Sequence, residues 1–352
     1  MNGVFGSVAQ PAAASRTFPL ARFGLPALLV VSLVSLSLGL AIGAVPIPLP
    51  RVLGVLFGSS GPHWQEVVVW HVRLPRILVA WCVGAALAVS GTALQALFRN
   101  PLCDPGTLGV SSAAALGAVM SIYLGLAAAG TWIVPLAACL GAAFAVLLLW
   151  AIAGRPGRGE ITSVLLSGIA IGQLAIAASS LVVSLALADY RVARRLIAWL
   201  LGELDGRTWL HVAWSAPAVA FGSFALFRHA RSLDALAFDD VVAIASGVDA
   251  ARVRQSLVFW TSLLTGIAVA TGGVIGFVGL VVPHLLRPIL GASHRVLLPA
   301  ALCSGGTLLV LADALARSVM APEELQVGIV TAGLGAPLFL YLLLRERARR
   351  IR

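Results

Sequence analysis

The sequence predicts an all-α membrane protein that crosses the lipid bilayer about ten times. Of its 352 residues, 60% are hydrophobic and only 11% are charged, whereas a soluble domain carries about 25% charged residues. The apolar stretches run for about 20 residues without strict alternation, which is the length of a membrane-spanning helix and not the pattern of a barrel strand. These two observations define the fold class.

Ten apolar runs follow one another along the chain, and each is predicted to form a helix. They cover residues 26–45, 77–97, 107–127, 132–153, 161–188, 208–227, 255–274, 277–291, 296–316 and 325–344. The first run is longer than the usual core of a signal peptide, so it is predicted to be a span. The run 277–291 is the shortest and is marginal in length for crossing the bilayer.

The distribution of arginine predicts the orientation of these spans. With ten spans and the amino terminus inside, 16 of the 24 arginines fall on the inner side, as the positive-inside rule requires. Both termini are therefore predicted to be cytoplasmic. We expect one membrane domain over 1–352, with a cytoplasmic tail at 1–25, a cytoplasmic segment at 228–254 and a basic tail at 345–352.

Several function classes are excluded or disfavoured by composition. All 24 basic residues are arginine, and a Walker A phosphate loop needs a lysine, so the chain cannot be a P-loop ATPase by itself. The net charge of +10 is spread over loops and matches the orientation, so no nucleic-acid partner is predicted. The four cysteines show no CxxC spacing and the histidines form no HExxH motif. We expect no catalytic residue, no metal site and no cofactor.

The stretch "FRNPLCDPGTLGVS", residues 98–111, is too polar to lie in lipid and too rich in proline to be helical. Proline fixes φ, removes a backbone donor and restricts the residue before it. A stiff loop on the inner side is predicted, between the second and third spans.

The stretch "LDALAFDDVVAIASGVDAARVRQ", residues 233–255, predicts two short helices. Asp239 or Asp240 caps the first, Gly247 ends it, and Asp249 caps the second. Apolar residues give each helix an apolar face that can bind lipid or another protein. Such a segment either rests on lipid headgroups or docks a soluble partner, and the residues themselves leave both interpretations open.

On the outer side, "DYRVARRLIAWLLGELDGRTW", residues 189–209, places three arginines before a helix end at Gly202. One interpretation is an interfacial helix with an aromatic anchor. The other is a mouth lined with positive charge that faces a partner or an anionic substrate.

The apolar runs contain almost no ionisable side chains, although such residues mark the ion path of many carriers. Asp313 lies well inside a run, and Arg317 one turn on can pair with it. This shortage disfavours an ion-coupled secondary transporter, which remains the alternative class. Energy for transport is therefore expected to come from outside the lipid.

Three long blocks of the chain resemble the FecCD/BtuC family of ABC importer permeases. They are "RLPRILVAWCVGAALAVSGTALQALFRNPLCDPGTLGVS", "GFVGLVVPHLLRPILGASHRVLLPAALCSG" and "LADALARSVMAPEELQVGIVTAGLGAPLFLYLLLR". The resemblance implies a BtuC-like, ten-helix permease of the inner membrane that works as a homodimer. Its implied partners are two cytoplasmic ATPase subunits and a periplasmic binding protein. The implied substrate is an iron chelate (a siderophore or haem), with vitamin B12 (cobalamin) as the alternative.

The resemblance also implies roles for individual residues. The cytoplasmic gate corresponds to Asn100, Leu102, Thr162 and Ser163. Contacts with the ATPase correspond to residues of the paired short helices, namely Asp239, Asp240, Ala243, Gly247 and Asp249. Docking of the binding protein corresponds to Arg73 and Arg317, with Arg76 one turn beyond Arg73. For Arg317 a second interpretation is open, in which it only neutralises Asp313.

Overall fold

A computed structural model describes residues 20–43, 45–58, 62–154 and 161–350. Within these ranges the chain is helical and contains no strand, so the predicted all-α class is confirmed. Most of the predicted amino-terminal tail, residues 1–19, and the last two residues of the basic tail lie outside the described part of the chain.

In the described ranges, the first half of the chain forms seven α-helices. They are α1 (Leu20–Ala41), α2 (Leu49–Leu56), α3 (His63–Val67), α4 (Leu74–Leu97), α5 (Val110–Tyr123), α6 (Ile133–Ala153) and α7 (Ile161–Ala186). The second half forms eight more. They are α8 (Tyr190–Leu200), α9 (Trp209–Arg228), α10 (Ala230–Phe238), α11 (Asp240–Ala245), α12 (Ala250–Gly272), α13 (Val278–Leu290), α14 (His294–Val319) and α15 (Val327–Arg350).

The predicted runs correspond one to one with helices of the structure. Seven described helices are long and apolar enough to cross a membrane, and three shorter apolar helices, Val110–Tyr123, Val278–Leu290 and Val327–Tyr341, account for the other runs. The marginal run 277–291 is the 13-residue helix α13, about 20 Å long. Helix α5 is shorter than its run because Gly109 and Gly125 both adopt left-handed backbone conformations at its ends.

Helix α4 lies at the centre of the bundle. It packs against α9, α12, α13 and α14, and 89% of its apolar window is buried. Its start was predicted too late: the chain is helical from His63 through a π-helical stretch, Val68–Arg73, into α4. The sequence of this stretch is less apolar than the span itself, so hydropathy alone begins the helix at residue 77.

Two glycine crossings allow the central helices to approach closely. A Cβ on Gly84 of α4 would lie 2.2 Å from the Gly305 carbonyl oxygen of α14, and a Cβ on Gly91 would lie 2.0 Å from the Gly279 carbonyl oxygen of α13. No other residue fits at such contacts, since real Cβ atoms do not come that close. Small residues of this kind are what membrane helices use to pack backbone against backbone.

The segment between α9 and α12 folds as predicted in its caps but not in its helices. Asp239 caps α11 by accepting from the Asp240 N–H at 2.5 Å, Gly247 follows α11 with φ +76°, and Asp249 caps the next helix by accepting from the Arg252 N–H at 3.1 Å. The second predicted short helix does not exist as a separate element, because Asp249 caps the long helix α12.

Helix α10, which precedes α11, is fixed to the bundle by a carboxylate. Asp234 accepts from the backbone N–H of His294 at 2.8 Å and lies 2.6 Å from the His294 Nδ1. This pair satisfies a free N–H at the start of α14. Helices α10 and α11 lie at the same end of the bundle as the loop after α4, because Arg99 of that loop bonds Leu236 and Asp240. Helix α8 lies at the other end, where it lines a cavity together with Arg76 near the start of α4.

Candidate functional site

The loop of residues 98–109, called the gate loop below, is held in one shape by its own hydrogen bonds. The Asn100 side-chain oxygen accepts from the Leu102 N–H at 2.9 Å. The Asp104 carboxylate accepts from the N–H two residues on, also at 2.9 Å, and so caps a 3-10 turn, Pro105–Leu108. The stiffness that the prolines predict therefore has a hydrogen-bonded basis. Leu102 is 47% exposed on this loop.

The gate loop ends against helix α7. Gly109 has φ +74°, and a Cβ there would lie 2.4 Å from the Gly168 carbonyl oxygen and 2.7 Å from the Gly172 nitrogen. Only glycine combines that backbone with that approach. Thr162 and Ser163, the other predicted gate residues, lie at the start of α7, about 9 Å and about 7.5 Å along its axis from Gly168. The two predicted halves of the gate are thus on packed elements, and their role in gating stays a prediction.

An apolar surface is exposed around α11. It consists of Phe238, Val241, Val242 and Ile244, which are 83%, 71%, 47% and 65% exposed, and it is called the α11 surface below. Clustered apolar side chains of this size mark contact with a protein partner or with lipid. Both interpretations that the sequence leaves open therefore apply to this surface.

Ala243, predicted as a contact with the ATPase, lies on the opposite side of α11. It is fully buried, and its N–H donates to the Asp239 carbonyl within the helix. A partner that docks on α11 in this conformation would meet the α11 surface and not Ala243. Sequence alone could not give the rotation of so short a helix, because both of its faces are apolar.

Asp240 is bonded by two arginines from different parts of the chain. Arg254 of α12 donates to its Oδ1 at 2.5 Å, and Arg99 of the gate loop donates to the same oxygen. The hydrogen bond from Arg254, followed by the charges of both arginines, lowers the pKa of Asp240 below its usual value. The carboxylate is therefore ionised at neutral pH.

At the other end, the three arginines predicted to dock a binding protein are buried. Arg73, Arg76 and Arg317 are 6%, 7% and 3% exposed. Arg73 donates to the Leu40 carbonyl at 2.8 Å, and Arg317 donates to the Gly39 carbonyl at 3.1 Å. These bonds hold the end of α1 against α4 and α14. Contact of these guanidinium groups with a partner would require a change of conformation.

Asp313 is the anion that two of these arginines share. It is fully buried; its Oδ1 accepts from Arg76 Nε at 3.0 Å and Nη2 at 2.9 Å, and its Oδ2 accepts from Arg317 Nε at 3.0 Å. The Asp313–Arg317 pair predicted at i,i+4 is present. Arg76 makes two hydrogen bonds, both to the single oxygen Oδ1, whereas Arg317 makes one to Oδ2.

Two acids that the sequence analysis did not single out complete this cluster. Glu324 accepts from Arg76 Nη1 at 2.7 Å, and Asp205 lies 3.6 Å from the same nitrogen. Arg76 thereby connects α14 with the loops before α9 and α15, across an open cavity of about 720 Å³. Nothing in the local sequence marks these loop acids, because their partner is more than 100 residues away.

Helix α8 presents the exposed positive charge of this end. Asp189 caps it by accepting from the Arg191 N–H at 2.9 Å, and Leu196 and Trp199 are buried against the bundle. Arg191, Arg194 and Arg195 are exposed. The three clustered arginines therefore lie on the exposed face of a helix, and whether they contact a lipid surface or a partner stays a prediction.

Metal-ligating side chains do not cluster in the described residues, in which no group of three His, Cys, Asp or Glu could hold an ion. The four cysteines are free. The arrangement suits passage and contact between proteins: a stiff loop and an apolar surface at one end, and a charged, open cavity at the other.

Comparisons with known proteins agree with this arrangement. A model of the FecCD transport family matches residues 28–345. A solved structure described as an inward-facing conformation of a metal-chelate type ABC transporter superposes with a TM-score of 0.83 at 30% identity, and covers 92% of this chain and 99% of the other.

Relatives differ in the substrate that they are named for. The cobalamin import system permease of Halobacterium salinarum is 43% identical over 82% of this chain and 76% of its own length. The hemin transport system permease of Yersinia pestis is 39% identical over 92% of this chain and 96% of its own length. The vitamin B12 import system permease of Escherichia coli is 38% identical over 80% of this chain and 85% of its own length.

Proposed function

This chain belongs to the FecCD transport family of ABC importer permeases, and we propose that it forms the path by which a metal chelate enters the cell across the inner membrane. Two copies form the permease, two ATPase subunits bind at the cytoplasmic end, and a periplasmic binding protein delivers the cargo. Both termini are cytoplasmic, in keeping with the arginine distribution.

The observation that carries this proposal is the α11 surface. It lies at the same end as the gate loop, and its side chains are apolar and exposed. The chain has no lysine for a phosphate loop, so a separate ATPase must supply the energy, and this surface offers it a binding site. Asp239, Asp240, Gly247 and Asp249 shape the surface through the caps of α11 and α12.

The gate is proposed at the gate loop and the start of α7. Asn100 and Leu102 of each protomer face Thr162 and Ser163 across the path. The hydrogen-bonded loop keeps the opening narrow when closed, because few backbone torsions in it are free to change.

At the outer end, the binding protein is proposed to meet the exposed arginines of α8, whose charge is accessible. Acidic residues on the binding protein would be steered toward them, since exposed charges act mainly on association and orientation. Arg73, Arg76 and Arg317 support this end from beneath and are exposed to the partner only after a conformational change.

For the cargo, an iron chelate is the first candidate, with haem included, as in the hemin permease that matches over 92% of this chain. Cobalamin is the second candidate, favoured by the 43% identity to a cobalamin permease. Both cargoes are bulky metal chelates, and the residues lining the outer cavity carry both signs of charge, so charge does not choose between them.

The test is uptake into proteoliposomes that contain this chain with its ATPase and binding protein. We expect ATP-dependent uptake of haem, a ferric siderophore or cobalamin, and its loss when the ATPase site is inactivated. Uptake by this chain alone, driven by an ion gradient, would instead establish the secondary transporter.

A further inference from the structure

Arg99 connects the gate loop to α10 and α11. Its Nε donates to the carbonyl oxygen of Leu236 at 2.8 Å, and its Nη2 donates to the Asp240 carboxylate. Leu236 is a buried residue in the last turn of α10, and Asp240 is the first residue of α11. One guanidinium therefore holds both sides of the junction between the two helices.

On the gate side, Arg99 is part of a rigid backbone. Its φ is +48°, in the left-handed region that non-glycine residues rarely adopt. The next residue, Asn100, donates its N–H to the Gln95 carbonyl at 3.1 Å and accepts from Leu102. The backbone from Arg99 to Leu102 is therefore held by hydrogen bonds at both Asn100 and Leu102.

On the α11 side, Arg254 provides a comparison within the same cluster. It bonds the same oxygen of Asp240, but it belongs to α12 and not to the gate loop. Arg254 already bonds Asp240, so that carboxylate has a charged partner without Arg99, which also lies 3.9 Å from Asp239. What Arg99 adds is the direct connection between the two segments, with a second bond to Leu236 that fixes its direction.

We propose that Arg99 is a positioning residue that transmits movement of α11 to the gate loop. The inference rests on the proposed function, in which an ATPase binds the α11 surface and Leu102 lines the gate. The planar guanidinium suits this role, because its separate donors bond two acceptors at a fixed angle. A single ammonium on a flexible stem does not fix that angle.

The experiment compares Arg99→Gln with the control Arg254→Gln in the full permease–ATPase complex. The Leu102→Cys change is added in a background where the native cysteines, Cys82, Cys103, Cys139 and Cys303, are changed to alanine. Crosslinking of Leu102→Cys across the dimer is measured with and without ATP, and retention of the ATPase is measured on the same samples. The readout needs no cargo.

We expect wild type and Arg254→Gln to show crosslinking that changes with ATP. In Arg99→Gln the ATPase should stay bound while crosslinking no longer responds to ATP. Arg99→Lys should behave like Arg99→Gln, since it keeps the charge but not the two-acceptor geometry.

Four results would overturn the inference: crosslinking in Arg99→Gln that still responds to ATP, equal loss in Arg254→Gln, wild-type behaviour of Arg99→Lys, or release of the ATPase by Arg99→Gln. The last would make Arg99 a docking residue. If the unmodified permease binds no ATPase at all, the proposed function itself fails, and this inference with it. That failure is recognised in the wild type, before any variant is compared.

Discussion

Asp313→Asn is expected to be among the most destabilising single-residue changes at the end of the bundle that carries α8. The change replaces one carboxylate oxygen by an NH₂ group and removes the negative charge. Asp313 is fully buried and accepts three bonds, two from Arg76 and one from Arg317. An asparagine has one accepting oxygen, so its NH₂ group must face one of the two guanidinium groups.

The magnitude follows from the three bonds. The NH₂ group of asparagine cannot accept the one or two bonds on its side, and each such bond to a charged arginine contributes about 1.5–3 kcal/mol, so the loss is roughly 3 kcal/mol. The removal of one partner from a buried ion pair costs about 3–5 kcal/mol in other proteins, which agrees. The two arginines, left without their shared anion, also repel each other.

The matched control is Asp205→Asn. Its carboxylate also lies near Arg76, at 3.6 Å, but its side chain is 72% exposed, and exposed pairs contribute less than about 1 kcal/mol. Thermal unfolding of both purified variants is followed in the same detergent. Asp313→Asn should lower Tm by roughly 5 °C or more, while Asp205→Asn changes it little. Equal Tm values for Asp313→Asn and wild type would show that the buried cluster does not stabilise the fold.

Three further predictions concern the other end of the bundle. Val241→Asp or Ile244→Asp should release the ATPase in copurification, because each loses about 1.5–3 kcal/mol of apolar burial at the interface; retention would favour contact of the α11 surface with lipid. Leu102→Cys should crosslink across the dimer in the closed state and block uptake until reduced; free labelling by lipid-soluble reagents with normal uptake would place Leu102 outside the path. Burial alone would raise the pKa of Asp234, but hydrogen bonds from His294 outweigh it and lower the pKa. The stability that Asp234 contributes is therefore fully present above its usual pKa and is lost as the pH falls through its lower pKa in the folded protein. The Tm difference between wild type and Asp234→Asn should then shrink below about pH 4. A constant difference from pH 7 to pH 3 would refute this.

The sequence predicted those features that depend on neighbours along the chain. Hydropathy located the seven candidate spans and the three shorter apolar helices of the described residues. Cap residues located the start of α11 and of α12, because Asp239 and Asp249 bond backbone groups one to three residues away. The left-handed turns at Gly202 and Gly247 follow from the same local rule.

Features that depend on distant contacts were missed or placed differently. Arg76 bonds Glu324 and Asp313 across more than 230 residues, and no local pattern encodes such a pairing. The burial of Arg73 likewise depends on the end of α1, whose carbonyl groups it bonds. The rotation of α11, which buries Ala243 and exposes Val241, depends on how the helix packs against the rest of the fold.

The Gly84–Gly305 crossing also sets a delay during biogenesis. Helix α4 is among the first spans to leave the ribosome, but Gly305 of α14 is translated 221 residues after Gly84 (305 − 84). At about 5–20 residues per second, that interval is roughly 10–45 s. Throughout it, the glycine face of α4 must be covered by lipid, by other nascent helices or by an insertion factor. A chain that stalls before α14 would leave this face open, and we expect membrane quality-control proteases to recognise such a product.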